Sequence, residues 1–317
     1  MGSHKVPITF AGLLYDRFQP LQSGEVVPEG IDLNFLALHH PRDIFDRMAG
    51  GKEFDASELS LSEYICRYAM GLRDFVAIPV FPSRAFRHGY IAVNSTIVKE
   101  PKDLNGKKIG VPLYTMTAAV WIRSVLKQHG VDLDSIHWVQ GSFVSAEGYG
   151  KPAAMPLVEP VNITQNNSGK SLSQMLEDGD IAATIGADLP PCFRTAEHVK
   201  RLFPDFKDVE KTYFKEKGVF PIMHTVVVKR ELIDKYPWLP SSLFNAFNDS
   251  KEVARIFGGD AWVYGVEPNL KTLEALVDAL YDQAMISSKP TLEELFAPIR
   301  GQNWKVGWGT TPPKPSQ

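Results

Sequence analysis

Two cysteines in 317 residues, Cys66 and Cys192, are too few and too far apart for a disulfide framework, and neither lies in a CxxC or other metal-binding spacing. No stretch is long or apolar enough to span a bilayer. Charge of one sign is also scarce. With 34 basic and 37 acidic residues the net charge is -3, which gives no general attraction to nucleic acid or to an anionic membrane, so any cationic chemistry has to be local. The chain has no HExxH, no P-loop, no nucleophile elbow and no glycine fingerprint between a strand and a helix, which demotes phosphoryl and hydride transfer. His39 and His40 are adjacent rather than spaced along a helix face, so no metal ligands are expected from them. There is no internal repeat. Met1 to Lys5 run straight into the strand-like Val6 to Phe10 without an apolar signal core, and a cytoplasmic location is the expectation.

What is present is the composition of an ordinary globular protein: 44% hydrophobic residues supply a sizeable core, and the length favours two lobes over one. Apolar runs of strand length alternate with helix-period segments, which predicts α/β layers with substantially parallel sheets. His40-Pro41 opens a helix running to Gly50-Gly51. Ser60 and Glu63 read as a capping box ahead of the apolar face Leu61, Tyr64, Ile65, Tyr68 and Leu72. Strands are expected at Phe75 to Phe81, Tyr90 to Val93, Lys108 to Val111, Ile181 to Ile185 and His224 to Val228. Thr115 or Thr117 can cap the helix buried through Ala118, Trp121, Ile122, Val125 and Leu126. Gly141 to Lys170 reads as a long irregular connection, and the C-terminal part as largely helical.

In open α/β sheets ligands collect beyond the carboxyl ends of strands, and the informative polar residues lie there. The turn from Pro112 through Tyr114, Thr115 and Thr117 would aim backbone N–H groups and two hydroxyls at an anion; the alternative is that Thr115 or Thr117 only caps the helix. Arg84, Arg87 and His88 crowd positive charge into one loop, and an arginine fork suits a carboxylate. The plainer alternative is a solvated loop whose arginines pair with surface acids. His224 opens an apolar strand from which an imidazole could transfer a proton near neutral pH, although a strand-end histidine can equally be hydrogen-bonded structure. Asp188 follows a strand and Glu58 precedes a helix. Either could serve as a base, as an orienting acceptor, or as a cap for local amides.

Several segments together resemble the 4,5-dihydroxyphthalate decarboxylase family, which is related to type 2 periplasmic solute-binding proteins. The resemblance rests on Tyr15-Asp16-Arg17, Pro28 to Leu33, Phe54 to Ser60, Ile78 to Arg84 with Phe86 to His88, Gly110 to Pro112 with Thr117 to Ala119, Phe220 to Thr225, and Trp262 to Glu267. It implies two lobes, one built from residues 1–92 plus 215–317 and the other from residues 93–214, with a ligand cleft between them. It also implies non-oxidative loss of CO₂ from a hydroxylated phthalate. His224 or His88 would protonate the ring, Asp188 or Glu58 would orient or deprotonate a phenol, and Arg84 and Arg87 would hold the carboxylates. Arg17, Ser57, Tyr114, Thr115 and Thr117 would complete the substrate site. No redox cofactor is required, and a divalent metal is neither called for nor ruled out. The expected partner is a small aromatic carboxylate, with no nucleic acid and no membrane, and a homo-oligomer is left open. On the same scaffold a non-catalytic solute-binding protein, or a lyase of the chorismate-dehydratase kind, would be the rival readings. One departure from the family pattern is a short passage at Ala254 to Phe257, which puts the C-terminal helical packing in question.

Overall fold

The chain begins a first sheet with β1 (Val6–Leu13), β2 (Ile31–Leu38), β3 (Ala56–Ser60) and β4 (Phe75–Arg84). It then crosses to a second sheet and lays down β5 (Ile91–Asn94), β6 (Lys108–Val111), β7 (His137–Gln140), β8 (Ile163–Gln165), β9 (Ala183–Ile185) and β10 (Val199–Arg201), before returning as β11 (Ile222–Lys229). The computed structural model describes residues 5–146, 157–253 and 262–300. The short passage at Ala254 to Phe257 lies outside them.

The first sheet has the order β2-β1-β3-β11-β4 and the second β10-β5-β9-β6-β7-β8. Neither is wholly parallel. β11 runs antiparallel to both neighbours, and β5 is antiparallel to β9 and β10. The expectation of substantially parallel sheets holds for β1 with β2 and β3, for β6 with β7 and β9, and for β7 with β8; the pairs made by β11 and β5 are antiparallel and make both sheets mixed. β11 can occupy a central position because Val226, Val227 and Val228 are buried on both faces. Each contributes about 1.5–3 kcal/mol of burial.

Helices α1 (Gln19–Ser23), α2 (Pro41–Asp46) and α3 (Leu61–Ala69) belong to the first sheet's surroundings. Next comes α4 (Thr117–Gln128), which serves both sheets: Ala118, Val120 and Trp121 join the core of the first, while Ala119, Ile122, Val125 and Leu126 join that of the second. Trp121 donates its indole N–H to the Ile222 carbonyl at 3.0 Å, which ties α4 to the start of β11. Further along are α5 (Leu172–Asp178), α6 (Phe206–Lys217), α7 (Arg230–Lys235), α8 (Leu239–Val253), α9 (Leu270–Asp282) and α10 (Leu292–Leu295). Among the described residues no helix is long and apolar enough to cross a membrane.

Several local expectations are corrected. Ser60 precedes α3, but its hydroxyl makes no capping bond and the expected box with Glu63 does not form. Met116, not a threonine, is the cap residue of α4, again without a side-chain bond. Both hydroxyls are committed to each other instead: Ser60 Oγ lies 2.9 Å from Thr117 Oγ1, and Ser62 N–H donates to Thr117 Oγ1 at 3.1 Å. Within Gly141 to Lys170 lies strand β8, an edge strand too short and too exposed to show an apolar pattern. Helix α6 escaped a sequence reading because none of its residues is fully buried and its narrow stripe of Phe206, Val209 and Tyr213 is half-buried on an otherwise charged helix. The cationic loop is shorter than expected because β4 continues through Pro82 and Ser83 to Arg84.

Candidate active site

Strand β3 is buried at every position, which makes an acidic residue in its middle costly unless it is fully hydrogen-bonded. Glu58 meets that condition. Its Oε1 accepts from His224 Nδ1 at 2.6 Å and from the Tyr15 hydroxyl at 2.6 Å, and its Oε2 accepts from the Leu13 N–H at 3.0 Å. The pairing of β11 with β3 puts His224 opposite Ser60 and Val226 opposite Glu58, so the imidazole and the carboxylate are diagonal neighbours across two strands. An ionised carboxylate only accepts, so Nδ1 carries a proton and Nε2 is the nitrogen left for other chemistry. Phe45 presents an edge-to-face contact to the imidazole at 5.0 Å and closes its other side.

His224 lines a cavity of about 110 Å³ whose walls come from both sheets' surroundings. Arg42, Phe45 and Ser60 enter from one side, Met116, Thr117 and Ala187 from the other, and Arg87 lies in the segment that crosses between them. Arg87 is 8% exposed. Its Nη1 donates to the Ala187 carbonyl at 3.0 Å and its Nε to Met223 Sδ at 3.2 Å. Among the described residues no carboxylate lies within ion-pairing distance of it. Burial works against its charge and holds its pKa below the usual guanidinium range, with Tyr90, Asp188 and Glu210 acting the other way. A buried guanidinium bonded to neutral acceptors and facing a cavity is a ready site for an anion.

Arg42 is the second cation at this cavity. It bonds to Asp46 and, at 3.4 Å, to Glu63 Oε2. Burial pushes the Glu63 carboxyl up, opposed by Arg42 and Arg67, and its Oε1 makes no hydrogen bond among the described residues.

The remaining residues singled out from sequence are placed as follows. Thr117 lines the cavity with Ser60, while Thr115 offers its carbonyl to the Ser62 hydroxyl at 2.9 Å. Asp188 is exposed and follows Ala187, close enough to act on Arg87 electrostatically. Ser57 donates its hydroxyl to the Glu58 carbonyl at 3.0 Å. Tyr114 is buried under Arg123, whose guanidinium lies 3.7 Å from its ring. Arg17 stacks between the rings of Tyr15 at 4.1 Å and Trp262 at 4.5 Å and donates to the Pro82 carbonyl. Ser57, Tyr114 and Arg17 therefore serve packing and do not line this cavity.

Two further residues go elsewhere. Arg84 donates to Asn269 Oδ1 and lies over Phe220 in a separate pocket with Phe86 and Phe214. Arg84 ends β4 and Arg87 lies in the irregular segment after it, so the two go to different places. His88 lies against Tyr213 and Phe203, in a pocket shared with His129, and not at the cavity of His224. Conversely, Arg42, Tyr15, Phe45 and Ser60 had not been singled out as site residues. Tyr15 and Ser60 fall within motifs already noted, whereas Arg42, one residue into a helix after Pro41, carried no sequence signal. Among the described residues no group of three or more His, Cys, Asp and Glu side chains is placed to hold a metal ion.

Two mixed α/β sheets, β11 inserted between β3 and β4, and a cavity walled from both sides define a type 2 periplasmic-binding-protein fold. Solved structures of that shape include the periplasmic aliphatic sulphonate binding protein SsuA from Escherichia coli (TM-score 0.54, 12% identity, 98% of each chain). The desulfurization enzyme DSZB is another (TM-score 0.53, 15% identity, 93% of this chain and 97% of that one). At such identities the likeness is one of fold. A family profile described as NMT1/THI5 like matches residues 83–153.

The chain belongs to the 4,5-dihydroxyphthalate decarboxylase family. It is 34% identical to the 4,5-dihydroxyphthalate decarboxylase of Comamonas testosteroni over 95% of this chain and 99% of the relative. It is 39% identical to that of Pseudomonas putida over 62% of this chain and 76% of the relative.

Proposed function

We propose that the protein decarboxylates a hydroxylated aromatic dicarboxylate such as 4,5-dihydroxyphthalate without oxidation, giving protocatechuate and CO₂. Family membership supports the reaction class, and one observation carries the assignment to this site: a carboxylate-held imidazole and a buried arginine with no acid partner among the described residues face the same cavity.

In this reading Arg87 binds one substrate carboxylate and Arg42 the other. Each ring hydroxyl of 4,5-dihydroxyphthalate is para to a carboxylate, so its electrons can be pushed towards the carbon bearing that group. The protonated imidazole of His224 delivers its Nε2 proton to that carbon, forming a C–H bond. The bond to the carboxylate then breaks, CO₂ leaves, and the electron pair restores the aromatic ring. Glu58 stabilises the imidazolium and fixes its orientation. His224 is afterwards reprotonated from solvent, so atoms and charge balance without a redox partner.

The cavity of about 110 Å³ is smaller than the ~300–1,000 Å³ usual for ligand sites, so substrate admission requires the walls to part. The moving units in this reading are residues 1–92 with 215–317 and residues 93–214. Both cysteines are free and buried, which suits a reducing cytoplasm, where we place the reaction.

Incubation of the purified protein with 4,5-dihydroxyphthalate, with and without a chelator, tests the reading. Stoichiometric protocatechuate and CO₂ are expected. Tight reversible binding without turnover would overturn the enzyme reading in favour of a solute-binding protein, and chelator-sensitive turnover would add a metal to it.

A further inference from the structure

Tyr15 stands at the end of β1, outside the cavity, and so has no contact through which to act on a substrate directly. Its hydroxyl nevertheless donates to the same Glu58 oxygen that receives His224 Nδ1, both at 2.6 Å. The ring itself is fixed from several directions. The Arg17 guanidinium lies 4.1 Å from its centroid, Phe18 packs edge-on at 5.4 Å, and its backbone N–H donates to the Leu13 carbonyl at 3.0 Å. Ser83, the cross-strand partner of His224, lies close enough to act on the phenol electrostatically. Burial and the neighbouring Glu58 hold the phenol far above its ordinary range, so towards Glu58 it is purely a donor. Three donors from two segments, Leu13 and Tyr15 at the end of β1 and His224 on β11, therefore converge on one buried carboxylate and restrict its orientation.

We propose that Tyr15 is a positioning residue for proton transfer: its hydroxyl pins Glu58 Oε1, and through Glu58 it keeps the His224 imidazole aimed at the cavity. This explains why Tyr15-Asp16-Arg17 belongs with the site although none of the three lines it. The Arg17 guanidinium lies over the tyrosine ring and is itself tied to β4 through the Pro82 carbonyl. Loss of the hydroxyl frees the carboxylate to turn and the imidazole to follow, which costs rate and not substrate affinity.

The kinetic part of the test rests on the decarboxylase reading, and the spectroscopic part does not. Tyr15→Phe keeps the ring packing and removes one oxygen. Its kcat should fall about 10- to 100-fold, the range of a disturbed proton-transfer geometry, with KM changed by less than about threefold. In the ligand-free protein, proton NMR should show the His224 Nδ1–H resonance shifted in Tyr15→Phe because a competing donor on the shared oxygen is gone. Glu58→Gln should abolish that resonance position altogether. A wild-type kcat, a loss confined to KM, or an unmoved Nδ1–H resonance in Tyr15→Phe would overturn the proposal. If Tyr15→Phe does not fold, the wild-type and Glu58→Gln spectra decide: a Tyr15 hydroxyl proton and a His224 Nδ1 proton that both depend on Glu58 support it, and a Tyr15 proton indifferent to Glu58 rejects it. A wild type that binds without turnover sinks the decarboxylase reading and leaves the spectroscopic result standing.

Discussion

His224 on β11 and Glu58 on β3 are joined by a 2.6 Å hydrogen bond, although 166 positions separate them in sequence. The bond exists because β11 returns from the far end of the chain to lie antiparallel beside β3. If this pair transfers the proton, His224→Gln should lower kcat by about 10²–10⁴-fold with the fold intact by circular dichroism. Glu58→Gln should also lower kcat. The double variant should be little worse than the poorer single one, because the two act as a unit. Additive losses in steady-state kinetics would separate them.

The two arginines three residues apart should behave differently. Arg87→Met removes the buried fork at the cavity and should weaken binding of phthalate, a non-reacting diacid, by about 100-fold, or about 3 kcal/mol. Arg84→Gln, in its separate pocket, should change it by less than about threefold. Isothermal titration calorimetry on the folded variants makes the comparison.

Arg42 is expected to set the preference for a second carboxylate. In Arg42→Gln, phthalate binding should fall about tenfold while benzoate binding changes by less than about twofold. The same variant strips Glu63 of its cation in a buried setting, so Tm should drop, and Arg42→Gln combined with Glu63→Gln should recover part of the loss. Equal effects on both acids would remove Arg42 from the specificity argument.

His88 is expected to govern acid stability and not turnover. It is 2% exposed, and burial together with His129 holds its imidazole down to about 4 from an ordinary 6.5. Between those values the unfolded chain binds the proton and the folded chain does not, so stability rises with pH there. The contribution of His88 is fully present above about pH 6.5 and is lost as pH falls towards 4, by about 3 kcal/mol in all. The groups around it are Glu210, His129 and Tyr213, and the Glu210 carboxyl is itself raised by burial. Urea melts at pH 7 and pH 4.5 should show a smaller acid loss in His88→Gln than in the wild type. An equal loss would assign the acid sensitivity to the carboxylates alone.

Much of this was legible in the sequence for a physical reason. Strands such as Val226 to Val228 and helix faces such as Ala118 to Leu126 announce themselves because burial imposes a period on apolar residues, and a reader sees that period directly. Helix α6 and strand β8 were hard to read because they bury little: α6 has only a narrow half-buried stripe among charged residues, and β8 only three residues. His224 could be singled out at the start of an apolar strand, and Glu58 as a carboxylate ahead of a helix, although the structure puts it inside β3. Nothing local said that they touch.

Residue type and spacing thus determined the α/β class, the family and a short roll of chemical groups. Tertiary structure decided which of those groups share a cavity. Arg84 and Arg87 look equivalent in sequence, but the end of β4 and the irregular segment after it send the first to Asn269 and the second to the site of His224. Ser60 and Thr117 look like helix caps, but the approach of α4 to α3 turns their hydroxyls towards each other. Such choices depend on long-range packing, which fixes side-chain partners by register and chain return, and neither is written within any local window of residues.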